Sequence, residues 1–330
     1  MIVDVHTHFV SPNAIDMARR GPDTYGVRVT DMERSIQLQL GDQSPIRPLI
    51  EPLYTLSTYL SFMKSRGITG ALIGPPMDVV GYHLPPRQGQ AWSRMLNEGL
   101  AESMKAADLS VHGLATVPLQ DPPSAAAELR YAVLELGFRG AMIDTNIQRR
   151  PLGDAALDPF WREAMDLDVP VILHPYVLED VARFKEFYLH NLVGYPFETT
   201  LAACSLIFGG TLDRMPELTV VLVHGGGFFP YQVGRFDHGH LARPEPGSRG
   251  AGPASRYTRR FYYDTLTHST QSLCFLCNIV GADRLLLGSD HPFGLGHPEP
   301  VRALRDAKLG DAAENAALGS NAAKLFRLEA

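Results

Sequence analysis

Met1-Ile2-Val3-Asp4-Val5-His6-Thr7-His8 opens the chain, and the rest of the fold is read outward from it. The run is short, apolar and rich in β-branched residues, which reads as a strand. It ends in His-x-His. Residues two apart on a strand share a face, so His6 and His8 aim two imidazoles at one point beyond the strand's end. Imidazole is a common ligand for zinc and similar metals. Taken alone, the pair reads equally well as two polar residues at an exposed strand end.

From Phe9 to about Pro52 the chain makes a long excursion. Tyr25-Gly-Val-Arg-Val-Thr30 and Ser35-Ile-Gln-Leu-Gln-Leu40 alternate polar and apolar residues, which predicts a small hairpin or sheet inserted after the first strand. A segment of that length at a strand end reads as a lid or cap rather than a linker. Beyond it, helical patterns alternate with short apolar runs. The runs are Thr69–Gly74, Val111–Val117, Gly140–Asp144, Pro170–His174, Thr219–His224, Phe261–Thr265 and Arg284–Asp290. The helical patterns lie at about 54–66, 89–107, 123–136, 158–167, 197–213, 228–240 and 269–280. With the opening run that makes eight strands. Continuous apolar strands separated by helices imply a parallel α/β sheet covered on both faces. Eight such units predict a (β/α)8 TIM-type barrel with a small inserted β-rich segment after strand one. An open doubly wound sheet ranks lower, because no Gly-rich phosphate loop follows the first strand.

Composition narrows the function classes. The 330 residues suffice for one large barrel domain spanning 1–330, with the insertion at about 9–52. Hydrophobic residues at 45% and charged residues at 20% are ordinary for a globular chain. A net charge of −6 and the lack of a basic stripe argue against nucleic acid as the partner. No apolar run approaches membrane-spanning length, and the opening strand has no basic leader of the signal-peptide kind. Cys204, Cys274 and Cys277 imply no disulfide framework, and Cys274-x-x-Cys277 reads as one face of a helix. A reducing cytoplasm is the expected compartment. The Pro/Gly/Ser-rich stretch from Arg243 to Arg256 is expected to be a mobile surface loop.

In such a barrel the chemistry sits at the C-terminal ends of the strands, and the unusual residues fall there. Strand one ends in His6 and His8, strand five in His174, strand six in His224 and strand eight in Asp290. Together they predict one divalent ion held by His6, His8, His174 and Asp290. A catalytic site keeps a position for water or substrate. His224 is then left over as a general base, since its ordinary pKa lies near neutrality. Strand four offers Asp144 but no lysine, so a single metal is expected. Gly225 to Gly227 read as a close backbone approach or as a flexible turn. Arg47 and Arg235 have the fork that binds carboxylates, although from spacing alone each reads first as a surface ion pair. Tyr82, Trp92, Tyr176 and Phe293 are candidates for an apolar substrate wall, or ordinary core residues.

Several short pieces are spread along the chain from end to end. They are Asp4-x-His6-x-His8-Phe9, Arg47-Pro48, Val117-Pro-Leu-Gln-Asp121, Ile172-Leu-His174-Pro175 and Pro196-x-Glu198-Thr199. His224-Gly-Gly-Gly227, Gly234-Arg235-x-Asp237 and Leu287-Gly-Ser-Asp290-x-Pro-Phe293 complete the set. With these the chain resembles the amidohydrolase superfamily, in particular its decarboxylase branch. The resemblance implies a barrel with one zinc ion, manganese being the alternative, held by His6, His8, His174 and Asp290. It also implies a catalytic base at His224 and carboxylate-binding arginines at Arg47 and Arg235. Arg235 would come from the neighbouring subunit of a homodimer. Two departures touch the pocket wall: Tyr176 stands where the family has tryptophan after His-Pro, and Asn191 where another tryptophan is expected.

The expected activity is therefore metal-dependent, non-oxidative decarboxylation of a small unsaturated or aromatic carboxylic acid. His224, Asp290, Arg47 and Arg235 are the catalytic candidates, and Arg47, Arg235, Tyr176, Phe293 and Tyr82 would bind the small-molecule carboxylate. The alternative on the same site is a metal-dependent hydrolase of a lactone, amide or related acyl substrate.

Overall fold

Every residue of Val3–His8, the first barrel strand (β1), is buried, as a strand covered on both faces should be. The computed structural model describes residues 1–176 and 181–329. Seven further barrel strands follow: β2 (Gly70–Gly74), β3 (Ser110–Ala115), β4 (Gly140–Ile143), β5 (Val171–Leu173), β6 (Val220–Leu222), β7 (Phe261–Asp264) and β8 (Leu285–Leu286). They form one eight-stranded sheet in sequence order. Each pairs in parallel with the next, with registers such as His8↔Gly74, Leu173↔Leu222 and Val220↔Phe261. The ends meet: Val5 N–H donates to Leu287 O at 2.9 Å, and Asp290 N–H donates to His6 O at 2.8 Å. Closure leaves no free sheet edge. It also brings residues 6 and 290 together, which sequence separates by nearly the whole chain.

Helices connect the strands: α1 (Leu56–Ser65), α2 (Pro86–Met104), α3 (Pro122–Leu134), α4 (Asp158–Asp166), α5 (Tyr195–Phe208), α6 (Phe229–Ala242) and α7 (Thr270–Val280). Proline sits in the first turn of α2 to α6, where its missing N–H is not needed. On α7 the Ser269 side chain caps the Ser272 N–H, and Leu273, Leu276 and Val280 form the buried stripe. Cys274 and Cys277 share that helix, three residues apart, and all three cysteines are unpaired. Among the described residues no helix is long and apolar enough to cross a membrane.

Two expectations change at the periphery. The segment after β1 contains the hairpin Val27–Asp31/Ile36–Leu40, but also the helix Pro12–Arg20. That helix has a Ser11 cap followed by proline, with Ala14, Ile15 and Ala18 buried. This start signal lies in the sequence. These pieces build a second apolar core with Val79, Leu84, Trp92 and Leu96 of the β2–α2 region. Trp92 is fully buried there and donates to Val79 O at 2.6 Å, so it is a core residue and not a substrate wall. The 243–256 stretch lies at the surface as expected, with most of its residues exposed or half-buried, but it is anchored toward its C-terminal end. Ala251 and Ala254 are buried, and Ala251 O accepts from His240 Nε2 at 2.8 Å.

Candidate metal centre

All five rim residues converge. His6 and His8 leave β1 on one face, His174 follows β5, and His224 and Asp290 follow β6 and β8. The His6, His8 and His174 Nε2 atoms lie 3.2, 3.0 and 3.6 Å from a single oxygen, Asp290 Oδ1. The His224 Nε2 faces the other oxygen, Oδ2, at 3.8 Å. The ring centres of the four imidazoles lie 4.8–5.4 Å apart wherever they face one another. Donor atoms of His6, His174, His224 and Asp290 all lie within 4.8 Å of one another.

The turn geometry is unusual at these positions. His224 and Asp290 both hold left-handed backbone, with φ of 55° and 60°. Such conformations are uncommon outside glycine and collect at functional sites. After His224, Gly227 at φ +62° is required twice over, since a Cβ there would meet Pro196 O at 2.2 Å.

Two buried carboxylates that sequence reasoning left without a role complete the centre. Asp264, at the end of β7, accepts from His6 Nδ1 at 2.7 Å and from the Gly225 N–H at 2.8 Å. It thus ties a candidate ligand to the turn that presents His224. Asp4 on β1 accepts from the His6 and Ser289 N–H groups, both at 3.1 Å, and so staples β1 to the Asp290 segment. The signal for Asp264 was present: it ends its strand as Asp290 follows β8.

The charge balance of this cluster calls for a cation. Burial depresses the His6 pKa, but the carboxylates of Asp290 and Asp264 outweigh it and lift it to about 10. Burial holds His8 low and His174 well below the ordinary imidazole value. Burial raises the Asp290 carboxyl, yet the surrounding imidazoles, His6 foremost, bring it well below the usual carboxylate range. The raised His6 value means that, with Nδ1 committed to Asp264, positive charge is held between His6 Nε2 and Asp290 Oδ1. A proton supplies that charge when no metal is bound, and a metal ion at Nε2 would take the proton's place. The His6 and His174 Nε2 atoms are buried without a conventional hydrogen-bond partner. Nitrogen and carboxylate donors of this kind fit a divalent transition metal.

A cleft opens beside the cluster. One lobe, about 420 Å³, is lined by His224, Phe228, Tyr231, His268 and Asp290. A narrow arm of about 40 Å³ is lined by Arg47, His174, Tyr176 and Phe293. The two share Asn191, Tyr195, Asp290 and Leu295. Tyr176 and Asn191, the two departures from the family pattern, therefore line the cleft. Phe293 packs 5.0 Å from the His8 ring, centre to centre. Burial pushes the Tyr176 phenol up to about 12. Arg47 reaches the cleft from the inserted segment, with its Nε donating to buried Asp78 Oδ2 at 2.7 Å. Tyr82, expected at the substrate, is buried and lines neither lobe. Arg235 is exposed on α6, outside both lobes, and makes no hydrogen bond or ion pair among the described residues.

The profile of the family described as Amidohydrolase matches residues 3–328. A 2-amino-3-carboxymuconate-6-semialdehyde decarboxylase of Dictyostelium discoideum is 35% identical over 252 residues, covering 76% of this chain and 70% of that one. A gamma-resorcylate decarboxylase of Rhodococcus jostii is 30% identical over 353 residues, covering 99% of this chain and 98% of its own. Among solved structures, a dihydroxybenzoic acid decarboxylase of Polaromonas sp. JS666, with bound manganese and 2-nitroresorcinol, superposes with a TM-score of 0.79. Its sequence identity is 25%, and 99% of this chain and 97% of that one are covered.

Proposed function

Because the chain belongs to the amidohydrolase family, we propose that it is a metal-dependent, non-oxidative decarboxylase of a small aromatic or unsaturated carboxylic acid. The observation that carries this reading is the set of four imidazole Nε2 atoms around the Asp290 carboxylate, beside a cleft that also holds Arg47. His6, His8, His174 and Asp290 would hold one divalent ion, zinc or manganese. Bound there, the ion supplies the Lewis acidity that anchors and polarises an anionic substrate oxygen. Manganese in the Polaromonas relative supports that choice of ion class.

The chain's own groups do the rest. Arg47 offers a carboxylate its guanidinium fork. Tyr176 and Phe293 flank the same arm and give a flat ring an apolar wall. His224 stands apart from the other imidazoles: it alone faces Asp290 Oδ2, and its side chain is 17% exposed where His6 and His8 are 0%. That position suits a residue that exchanges protons with the cleft. A proton delivered to the carbon bearing the carboxylate makes that carbon tetrahedral. The C–CO2 bond then breaks, its electron pair returns to the π-system, and CO2 leaves.

Arg235 is exposed and lines neither lobe of its own chain's cleft, although Tyr231, one turn before it on the same helix, lines the wider one. A two-fold partner presents the same patch twice. This placement supports a homodimer in which Arg235 serves the neighbouring site. Three unpaired cysteines support a reducing, cytoplasmic setting.

The test is product analysis. Protein loaded with manganese or zinc is incubated with γ-resorcylate, salicylate and an aryl lactone, and CO2 and ring products are measured. Release of one CO2 per hydroxybenzoate consumed, abolished by a chelator and restored by metal, is expected. Lactone opening with no CO2 from any acid would replace the decarboxylase by the hydrolase.

A further inference from the structure

Arg47 is held on two sides. Its Nε donates to Asp78 Oδ2 at 2.7 Å, and its guanidinium carbon lies 4.1 Å from the centre of the Phe293 ring. Asp78 fixes that geometry firmly, because its side chain is fully buried while that of Arg47 is 47% exposed. The Asp78 Oδ1 is buried with no hydrogen-bond partner. A buried carboxylate with one oxygen unsatisfied lowers stability, so packing alone does not account for it.

The geometry has a chemical consequence. A guanidinium binds a carboxylate in a fork through two N–H groups on one edge. With Nε taken by Asp78 and one face covered by Phe293, the terminal pair, Nη1 and Nη2, is the edge left. Those two groups make no hydrogen bond among the described residues, and Arg47 lines the same narrow arm as His174, Tyr176 and Asp290. Asp78 also cancels the charge of Arg47, so this subsite recognises by shape more than by net positive potential.

We propose that Asp78 is a positioning residue: it turns Arg47 so that the terminal amino groups face the cleft and donate to one planar carboxylate of the substrate. The proposal rests on the reading of the cleft as a carboxylate site. It deepens that reading by assigning specificity to a residue that itself touches neither metal nor substrate.

The test compares two probes on metal-loaded protein by calorimetry, benzoate and isophthalate. The second carboxylate of isophthalate reports on the Arg47 subsite. Wild type should bind isophthalate about tenfold more tightly than benzoate. In Arg47→Lys, which keeps the charge but loses the fork, the advantage should vanish. In Asp78→Ala it should fall to about twofold or less, whereas Asp78→Asn, whose amide oxygen still accepts from Nε, should keep most of it. Metal content and melting temperature check that each variant is folded. Should the alanine variant fail to fold, Asp78→Leu, of similar size but without an acceptor for Nε, takes its place with the same expected fall. An unchanged ratio in Asp78→Ala, or an equal loss in alanine and asparagine variants, overturns the role of Asp78 and leaves the decarboxylase reading intact. Failure of wild type to bind either acid overturns both.

Discussion

Replacing Asp264 by asparagine alters one atom of a fully buried side chain, and the hydrogen bonds around it make the outcome calculable. Oδ2 accepts from His6 Nδ1 at 2.7 Å, while Oδ1 accepts from the N–H groups of Gly225 at 2.8 Å and Leu266 at 3.2 Å. Asparagine has one acceptor oxygen, so its NH2 must replace one of these oxygens. Turned toward the backbone, the NH2 leaves two buried donors unsatisfied, at about 1–3 kcal/mol each. Turned toward His6, it costs far less, provided the imidazole moves its proton from Nδ1 to Nε2 and accepts the new donor. The Nε2–H then finds Asp290 Oδ1 at 3.2 Å. The second arrangement wins, and it removes the lone pair a metal would need. The expected loss of metal affinity is about 10–100-fold, the range for partners of metal-ligating histidines, or about 1.4–2.7 kcal/mol. Manganese titration of chelator-stripped protein reads the affinity. Thermal melting of the stripped protein should change little, within about 1 kcal/mol. Affinity within about twofold of wild type, in a variant that melts normally, would refute both the tautomer assignment and His6 as a ligand.

His224→Ala should retain its metal yet lose turnover on the order of 100-fold or more, read from metal content beside kcat; near-normal turnover would remove His224 from the reaction. Mixing Arg235→Ala with His224→Ala subunits should restore part of the activity, because one site of the mixed dimer then has both groups. No recovery after confirmed subunit exchange would count against a shared site. Gly227→Ala should lower the melting temperature or prevent folding, since its Cβ would lie 2.2 Å from Pro196 O; a variant melting like wild type would contradict the close approach. Burial, then Arg139, lowers the His112 pKa, so below its ordinary value of 6.5 the unfolded chain binds more protons there and stability falls with falling pH. His112→Gln should flatten that part of the pH–stability curve, and an unchanged slope would assign the loss to other groups.

What could be read from sequence, and what could not, follows from the range of the interactions. The barrel was legible because each strand is a continuous apolar run and each helix carries its own stripe, as α7 does with Leu273, Leu276 and Val280. The rim residues were legible for a related reason. A parallel barrel places every strand's C-terminal end on one side, so position along a strand predicts convergence without any knowledge of packing. The insertion was half legible: its alternating strands stood out, while the Ser11-capped helix was overlooked beside them. Aromatic type alone misplaced Tyr82 and left Trp92 open between wall and core, because a ring near a motif and a ring in the core have the same chemistry until burial separates them.

Asp264 could be singled out by its place at the end of β7, but its role, like that of Asp78, was not legible. Each acts through another side chain, His6 for Asp264, 258 positions away, and Arg47 for Asp78, 31 positions away. No period or local motif encodes such a pair, since the contact exists only once the barrel has closed and the insertion has docked on α2. Groups that touch metal or substrate must sit where the fold's geometry converges, which is a property of strand ends. Groups that orient them need only reach their partner, from any element. The residues that hold His6 and Arg47 in place are therefore the ones that a sequence shows least, and substitutions at Asp264 and Asp78 test whether they set affinity and specificity.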